Sequence, residues 1–440
     1  MKIQKSGFAA GGGYSIFLAG DCYLGSSFWN EQPHSTNLKR DVRSTDLAIT
    51  NLEAPLKSDT PAAKYGSNLY TSEEKVAIIR DAGFDAVSLA NNHVMDFGVD
   101  GLTSTIEGCE DVGLAPFGAG HTEHDAFEPF RTTLGTQSVA VLGVSEHEGN
   151  LAEGENPGAA WIRSGELRER LRAVAEAHDL TVLIAHGGLE YVPLPPSSWR
   201  RQLRDLATTG VDAIIAHHPH TPQGWEVYRG VPIFYSLGNY LMYKEKWPST
   251  WWSYGVELVV RDGEIQDVNV ILFSVRNGRL CHLTGEKGQT NWEYLVRTSE
   301  IIQRDESYPA YWQEIAHRLY RHGGYRYQYH RSFMKYGSGH LLSGVYDPID
   351  ELDRVTRGVV GSDARREKQL AVRDYIMNAS HRDAIQTAIG LETGAIEDER
   401  TSQVQSELDE LFETADGRPD RSFLQRQEER LKTVISRIIN

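Results

Sequence analysis

The chain has 440 residues, long enough for two or three domains and too long for a small module that depends on staples. Hydrophobic residues make up 40% of it and charged residues 24%, a globular composition that excludes global disorder. Lys and Arg number 45 and Asp and Glu number 61, so the formal net charge is −16. This sign disfavours non-specific binding to nucleic acids or anionic membranes, and we expect no nucleic-acid partner.

Cysteine usage and the first residues of the chain predict a reduced, cytoplasmic protein. The cysteines are scattered, without a CxxC pair, at Cys22, Cys109 and Cys281. Neither a disulfide framework nor a thiolate zinc site is therefore expected. Two lysines precede an apolar run near the start, but glycines 11–13 interrupt it, so we interpret residues 15–19 as a buried strand rather than a secretion signal. No apolar stretch reaches the ~20 residues of a membrane span.

Residues 1–240 alternate short aliphatic runs with amphipathic segments, the rhythm of an α/β domain. The predicted strands span residues 14–19, 46–50, 86–90, 139–144, 181–185, 213–216 and 233–237. The predicted helices span residues 73–82, 98–112, 164–177 and 197–209. Residues 255–275 differ, because two alternating runs flank an Asp-Gly turn; they predict an antiparallel hairpin that closes a second sheet.

After residue 277 the composition changes. Residues 307–346 are rich in Tyr, Trp, His and Arg, and residues 349–440 contain helix-like segments at 403–412 and 422–439, separated by a turn at 416–419. Two interpretations stay open. The region is either a helical appendage that packs on the core or forms an oligomer contact, or it is a lid that docks a partner or substrate.

Polar residues of metal-ligand type follow the predicted strands. They are Asp21, Glu53, Asn92, His93, Asp96, His186, His217, His218 and His220. Ligands of open α/β sheets bind outside the carboxyl ends of the strands, so these side chains are expected to converge. Each one alone has a structural explanation, but five successive strand ends of this kind predict a functional metal site. Imidazole and carboxylate donors suit Zn, Mn, Fe or Ni, and the absence of thiolates disfavours a closed structural zinc site.

Six segments carry a resemblance to a known family. They are GDCYLG (20–25), NLEAPL (51–56), SLANNHVMDFG (88–98), AHGGLEY (185–191), AHHPHTPQ (216–223) and YSLGNY (235–240). Over residues 14–275 the chain resembles the CapA-like, poly-γ-glutamate synthesis family, a branch of the calcineurin-like metallophosphoesterase superfamily. The resemblance implies an α/β fold, a four-layer α/β/β/α sandwich, and the composition after residue 277 predicts a mostly helical C-terminal extension. We expect a catalytic domain at 1–275, an aromatic-rich substrate-proximal segment at 276–346 and a helical extension at 347–440.

The resemblance also implies roles for single residues. The expected metal ligands are Asp21, Glu53, Asn92, His186, His218 and His220. Glu53 stands where the superfamily has a carboxylate that bridges two metals, and His217 is set aside as structural. They would hold one or two divalent ions, with Mn, Zn, Fe, Ca and Mg not distinguished. His93 is the expected general acid or electrostatic aid, and Asp96 and Glu190 are further acid/base candidates.

The chain departs from the superfamily in two motifs. Asp21 is followed by Cys22 and Tyr23, whereas the superfamily has Asp-x-His, and Asn-Leu-Glu at 51–53 stands where Gly-Asp-x-x-Asp is usual. The CapA-like branch shares both departures. They leave the fold prediction intact, whereas the number of metals and a phosphatase activity stay open.

Several functions fit this reading. The first is a soluble metal-dependent enzyme of a biosynthetic pathway that acts on a peptide or polyglutamate-type substrate. The alternatives are Cα epimerisation of a ribosomally made, lasso-type peptide, phosphoester hydrolysis, and a non-catalytic metal-stabilised scaffold. A substrate carboxylate would need a cation, which Arg200 and Arg201 beside Trp199 could supply. The helical C-terminus is the candidate surface for a homo-oligomer.

Overall fold

Strands and helices alternate along most of the described chain. The computed structural model describes residues 1–9, 13–25, 28–64, 66–245, 247–322, 370 and 373–416. The strands are β1 (Lys2–Lys5), β2 (Tyr14–Cys22), β3 (Leu47–Leu52), β4 (Ala86–Ser88), β5 (Ala115–Phe117), β6 (Ala119–Gly120), β7 (Phe130–Leu134), β8 (Gln137–Ser145), β9 (Gly158–Ala159), β10 (Leu180–His186), β11 (Ala213–His217), β12 (Gln223–Tyr228), β13 (Val231–Ser236), β14 (Asn239–Leu241), β15 (Trp252–Arg261), β16 (Glu264–Arg276) and β17 (Arg279–His282).

The helices occur in two groups. Between the strands lie α1 (Thr36–Val42), α2 (Glu73–Ala82), α3 (Gly98–Asp111), α4 (Glu123–Ala126), α5 (Leu167–Ala177), α6 (Ser197–Leu206) and a 3-10 turn (Pro248–Thr250). After the last strand come α7 (Gly285–Ile302), α8 (Tyr308–His322), α9 (Ala379–Thr393) and α10 (Ser402–Asp416). None of the described helices combines the length and the apolar character needed to cross a bilayer.

Two mixed sheets organise the strands. The first has the order β1-β16-β15-β2-β3-β4-β5, with β14 paired to β2 and β17 to β16. The second has the order β12-β13-β11-β10-β8-β7, and β6 pairs with β9 separately. Strands β2 to β5 are mutually parallel, as are β8, β10, β11 and β13. The carboxyl ends of neighbouring parallel strands therefore lie at one edge of each sheet.

Alternation along the strands separates the two faces of the first sheet. Ile16 and Leu18 belong to the apolar cluster that contains the second sheet, whereas Phe17 and Ala19 belong to the cluster that contains α1, α2 and α3. Leu171 of α5 and Leu203 of α6 join the second sheet in the first of these clusters. The result is the expected α/β/β/α sandwich. Strands β10 and β11 are buried along their whole length, which explains their unbroken aliphatic sequences.

The C-terminal helices share the core of the sandwich. Helix α7 packs on β12, α9 packs on α6 and α8, and α10 packs on α7 and α8. Their buried residues, among them Leu295, Trp312, Ala384 and Leu408, lie in the same apolar cluster as the second sheet. The mostly helical extension predicted from composition is confirmed within the described residues. The predicted boundaries at residues 276 and 347 stay a prediction.

The hairpin prediction needs one correction. Strands β15 and β16 pair around Asp262 and Gly263, both with positive φ, as the Asp-Gly turn requires. However, β15 also pairs with β2, so the hairpin extends the first sheet instead of closing a second one. Which strand pairs with the outer edge of a hairpin depends on tertiary packing, and the local sequence pattern does not encode it. The helix predicted at 422–439 lies outside the described residues.

Candidate metal centre

The predicted metal ligands meet where the carboxyl edges of the two sheets converge. Asp21 in β2 is in register with Asn51 of β3 and with Asn239 of β14, and His186 is in register with His217. Glu53 comes directly after β3. This explains how residues separated by up to 199 positions in the sequence form one site.

A close backbone contact sets the position of Asp21. Its amide donates to the carbonyl of Gly238 at 3.1 Å. At the preceding residue, Gly20, a Cβ atom would lie 1.9 Å from the same carbonyl oxygen. Only glycine therefore allows the loop before β14 to approach β2 so closely.

Two overlapping sets of side chains could each hold a metal ion. One comprises Glu53, His186 and His218, the other Asp21, Glu53 and His220, and within each set the ligand atoms lie within 4.8 Å of one another. Glu53 belongs to both sets. This is the arrangement expected of a carboxylate that bridges two metals, and all five residues are buried.

The carboxylate of Glu53 is the least satisfied group of the site. Neither of its oxygens accepts a hydrogen bond from any described residue, although the Nε2 atoms of His220 and His93 lie 3.5 and 3.9 Å from Oε1. Burial, reinforced by the charge of Asp21, raises the pKa of Glu53 well above its ordinary value. A buried acceptor without a donor is costly, and a cation between these residues would satisfy it.

Asp21 is, in contrast, surrounded by donors. Its Oδ1 accepts from Nδ2 of Asn51 at 2.8 Å, and its Oδ2 accepts from the backbone amide of His218 at 3.3 Å. Burial raises the pKa of Asp21, but the hydrogen bond from His220 and the charges of neighbouring histidines outweigh it and hold the pKa below its usual range. His217 Nδ1 lies 3.4 Å from Asp21 Oδ1, so the histidine set aside as structural borders the site.

Asn92 and His186 form the second side of the site. Oδ1 of Asn92 lies 3.1 Å from Nε2 of His186, which in turn lies 3.2 Å from Nδ1 of His218. Burial, then the nearby His218, lowers the pKa of His186 well below its usual value. The imidazole of His186 is therefore neutral at neutral pH, the form that binds a metal.

His93 is held by groups outside the metal sets. Its Nδ1 is 2.6 Å from Oδ2 of Asp96 and 3.1 Å from Nζ of Lys64, which leaves Nε2 on the side of Glu53. Burial, followed by the charge of Lys64, lowers the pKa of His93 to about 4. Asp96 also accepts from Lys64 at 2.5 Å and from the backbone amide of Leu69 at 2.6 Å. These contacts favour a role for Asp96 in positioning His93, and its acid/base role stays a prediction.

Glu190 borders the site near His220. Its Oε1 lies 3.3 Å from Nε2 of His220 and 3.8 Å from Nζ of Lys244, and its side chain is 42% exposed. Lys244 donates to the hydroxyl of Tyr191 at 2.8 Å. Tyr191, His218 and His220 all have positive φ, which is uncommon for such residues and clusters at functional sites.

The structure does not bring the predicted substrate-binding residues to the metal ligands. Trp199 is fully buried against Gly187 and Gly188, so it supports the loop after His186 from below. Arg200 pairs with Asp305 and Glu226, and its guanidinium lies over the ring of Tyr308. A carboxylate of substrate would have to displace these partners. Arg201 is exposed on α6 and has no functional role in the described contacts.

The aromatic residues predicted to border the crevice are partly accounted for. Those of α8, namely Tyr308, Tyr311, Trp312 and Tyr320, are buried in the core, and the Tyr308 hydroxyl donates to the carbonyl of Pro195. These four stabilise the docking of α8. Residues 323–346 lie outside the described residues.

Sequence reasoning missed several neighbours of the site. Asn239 Oδ1 lies 2.8 Å from Nδ1 of His220, and Glu148 Oε2 accepts from Nδ2 of Asn92 at 2.8 Å. The YSLGNY segment, which the resemblance singled out, contains Asn239 and could have identified it. Glu148 comes four residues after the predicted strand at 139–144, so the strand-end rule could have identified it. Lys64 and Lys244 belong to no quoted motif, so no signal in the sequence marked them.

The donor set fits divalent ions. Imidazole, carboxylate and amide ligands suit Mn, Fe or Zn, and the buried oxygens of Glu53 have no other described partner.

Comparison with known proteins identifies the family. The family described as "Bacterial capsule synthesis protein PGA_cap" matches residues 15–244, just over half of the chain. The chain belongs to this family. The matched region contains all six predicted metal ligands.

Relatives within the PGA_cap family have capsule-related names. The "Capsule biosynthesis protein CapA" of Bacillus anthracis is 29% identical over 288 residues, 63% of this chain and 68% of that protein. The "PGA biosynthesis protein CapA" of Bacillus subtilis is 31% identical over 47% of this chain and 56% of that protein. A "Probable polyglutamine synthesis accessory protein" of Mycobacterium tuberculosis is 27% identical over 44% of this chain. The chain thus spans little more than half the length of the second relative.

Among solved structures, a putative 5′-nucleotidase from Staphylococcus aureus aligns with 65% of this chain and 58% of its own. The TM-score is 0.39 and the identity 16%, a similarity too loose to carry function.

Proposed function

We propose that this PGA_cap protein is a metal-dependent enzyme that acts on the amide backbone of a peptide or polyglutamate-type substrate. The observation that carries the proposal is the shared, unsatisfied carboxylate of Glu53 at the junction of two metal-binding sets. Bound metals would polarise a substrate oxygen and stabilise negative charge that develops on it. Asp21, His186, His218, His220 and Asn92 would hold them around Glu53.

The chain's own residues supply the proton chemistry in this proposal. His93 is neutral at neutral pH, its Nδ1 is fixed by Asp96, and its Nε2 is free to face a substrate beside Glu53. Its unprotonated Nε2 can therefore accept a proton from the attacking water and then pass it to the leaving amine. Positive charge for an acidic substrate comes from Lys64 and Lys244 in this scheme, because they lie at the site, beside Asp96 and Glu190.

The substrate class is supported by the names of relatives, which refer to capsule, PGA and polyglutamine synthesis. Polyglutamate and peptides share the amide group that this site would polarise. The lysines near the centre are compatible with carboxylate side chains along such a polymer.

Epimerisation at Cα is the second candidate, and one observation favours it. Besides His93, which lies near Glu53, the site has Glu190, whose Oε1 lies 3.3 Å from Nε2 of His220. Removing a proton from Cα and returning it to the opposite face requires two acid/base groups, and the site offers both.

One experiment separates these functions. The metal-stripped protein is reloaded with Mn²⁺ or Zn²⁺ and incubated in D₂O with oligo-γ-glutamate, α-linked peptides and a chromogenic phosphodiester. Cleavage of an amide supports the first function, and deuterium at Cα without cleavage supports epimerisation. Turnover of the phosphodiester alone would favour a phosphoesterase. A protein that binds metal and converts none of the three would be a scaffold, contrary to our proposal.

A further inference from the structure

The start of helix α9 contacts the loop between β8 and β9, which borders the metal centre. Asn378, the N-cap of α9, donates from Nδ2 to Oε1 of Glu148 at 2.9 Å. Two residues on, the hydroxyl of Ser380 donates to Oε2 of Glu146 at 2.7 Å. Both side chains of α9 are fully buried, so these bonds form away from solvent.

Glu148 also contacts two of the predicted metal ligands. Its second oxygen accepts from Nδ2 of Asn92 at 2.8 Å, and Oε1 lies 3.6 Å from Nε2 of His218. Because Nδ2 of Asn92 is held by Glu148, Oδ1 of the same amide is turned towards His186, at 3.1 Å. A flip of this amide would present hydrogens to the metal position instead of an oxygen.

Glu146 makes a second link, to the loop that follows His186. Its Oε2 accepts from the backbone amide of Gly188 at 3.0 Å as well as from Ser380. Gly188 follows the ligand His186 by two residues and has a φ of 103°, so its amide direction depends on this loop conformation. The two glutamates of the β8–β9 loop thus connect α9 to the side of the centre formed by Asn92, His186 and His218.

We propose that Asn378 and Ser380 are positioning residues of the metal centre, which set the orientation of Asn92 and of the His186 loop through Glu148 and Glu146. The inference rests on the proposed function, since it concerns the same metals. Asn378 and Ser380 lie more than 130 residues beyond the region 15–244 that matches the PGA_cap family. The C-terminal extension therefore supplies outer contacts that the family region of this chain does not contain.

These contacts resemble the outer shell of hydrogen bonds that orients ligands in metalloproteins. Loss of such a partner typically weakens metal binding roughly 10- to 100-fold. A purely structural role for Asn378 would have a different signature. Its Oδ1 caps α9 by accepting from the amides of Ser380 and His381, and that role affects folding alone.

Substitutions at position 378 separate the two roles. Asn378→Ser and Asn378→Asp both keep an oxygen that can cap the helix, because Ser, Asp and Asn are comparable N-caps. Neither keeps the amide donor to Glu148, and Asp in addition places a like charge beside it. Gln313→Ala is the matched control, since Gln313 also ties the extension together, through residues 397 and 399, without contacting the β8–β9 loop.

The measurement is titration of Mn²⁺ into the metal-stripped full-length proteins by calorimetry, with thermal unfolding of the same samples. We expect Asn378→Ser to weaken Mn²⁺ binding roughly 10-fold at an unfolding temperature close to that of the parent protein. Asn378→Asp should weaken binding up to 100-fold and also lower the unfolding temperature, because it buries a like charge beside Glu148. Gln313→Ala should lower the unfolding temperature and leave Mn²⁺ binding unchanged.

A double variant that combines Glu148→Gln with Asn378→Ser tests whether Asn378 acts on the metal ligands through Glu148. If the link runs through Glu148, the double variant should lose less affinity than the two single losses combined. Parent-like Mn²⁺ affinity in both Asn378 variants would overturn the positioning role while leaving the proposed function standing. A parent protein that binds neither Mn²⁺ nor Zn²⁺ would overturn the proposed function itself, and the inference with it.

Discussion

Among single residues, Glu53 and Asp21 illustrate how one site treats two buried carboxylates differently. Asp21 accepts hydrogen bonds from Asn51 and from the amide of His218, which stabilise its charge before any metal arrives. Glu53 has no described donor, and burial raises its pKa. A bound metal ion would therefore stabilise Glu53 more than Asp21, because it would coordinate carboxylate oxygens that otherwise lack a hydrogen-bond donor.

The sharing of Glu53 predicts a distinctive metal stoichiometry for its variants. Glu53→Gln keeps the volume but removes the bridging charge, so both metals should be lost together. His218→Ala removes a ligand from one set only and should leave the set of Asp21, Glu53 and His220 able to bind. Elemental analysis after dialysis measures this. Equal metal content in the two variants would contradict a bridging role.

His93 is expected to act in proton transfer rather than in metal retention. His93→Asn should lower turnover roughly 10²- to 10⁴-fold while the bound metal is kept. Asp96→Asn leaves the imidazole in place but weakens its orientation, and should give an intermediate loss. Steady-state kinetics paired with elemental analysis checks both. Loss of metal from His93→Asn would make this residue a ligand.

Acid sensitivity should arise in part from His34, which lies apart from the metal residues. It is 6% exposed, and burial, then the charge of Lys39, lowers its pKa to about 3. The unfolded chain binds a proton near pH 6.5 and the folded chain does not, so stability falls as the pH drops below that value. At pH 5 the loss is about 2 kcal/mol.

The variant His34→Gln removes this titration. Its unfolding free energy, measured with denaturant at pH 5 and pH 7, should change less between the two than that of the parent protein. The exposed His124 provides the control, since His124→Gln should leave the difference unchanged. A His34→Gln variant as acid-sensitive as the parent protein would refute the assignment.

Asn92 and Asn378 differ in how far the sequence alone could predict their roles. Asn92 follows a strand and belongs to a recognisable segment, so its place could be predicted. Asn378 stands at the start of an ordinary helix, and nothing local shows that its partner is Glu148, 230 positions away. Contacts between a motif and a distant, motif-free helix depend on tertiary packing.

Among secondary-structure elements, the approach of β14 to β2 determines the geometry of the first ligand. Gly20→Ala would place a methyl group 1.9 Å from the carbonyl oxygen of Gly238, so β2 and the loop before β14 would have to separate at this point. We expect a loss of at least 1–3 kcal/mol in unfolding free energy, the usual cost of overpacking, and weaker metal binding.

Gly165→Ala is the matched control for this prediction. No heavy atom lies within 4 Å of a Cβ at Gly165, so the substitution should be neutral or slightly stabilising. Denaturant unfolding of both variants in metal-free buffer isolates the backbone effect. A Gly20→Ala variant as stable as Gly165→Ala would contradict the close contact.

Element prediction from the sequence was accurate where periodicity is strong. Helix α2 has the predicted bounds, and α3 and α6 end one and three residues earlier than predicted. Strands β7 and β12 were not predicted, because they are partly exposed edge strands without long aliphatic runs. The hairpin was recognised from its turn, but its sheet was not, since pairing with β2 is a long-range event.

At the scale of the whole molecule, the C-terminal helices are part of the main core. Their apolar residues share one cluster with the second sheet, and Arg200 of α6 is paired with Asp305 in the connection between α7 and α8. A protein truncated after residue 277 should therefore expose apolar surface and aggregate or lose cooperative unfolding. Circular dichroism and size-exclusion chromatography test this. A folded, metal-binding truncation would show that the extension is dispensable for the fold.

The order of these elements along the chain has a consequence for biosynthesis. Asp21 is translated among the first residues, whereas its in-register neighbour Asn239 follows 218 positions later and Asn378 later still. At 5–20 residues per second the ribosome needs roughly 20 to 70 s between Asp21 and Asn378. All six predicted ligands are therefore translated by residue 220, half-way along the chain, whereas Asn378 follows only in its last fifth. Under the proposed positioning role, the site reaches its final arrangement only after α9 has been synthesised, so binding of a metal with full affinity is a late event.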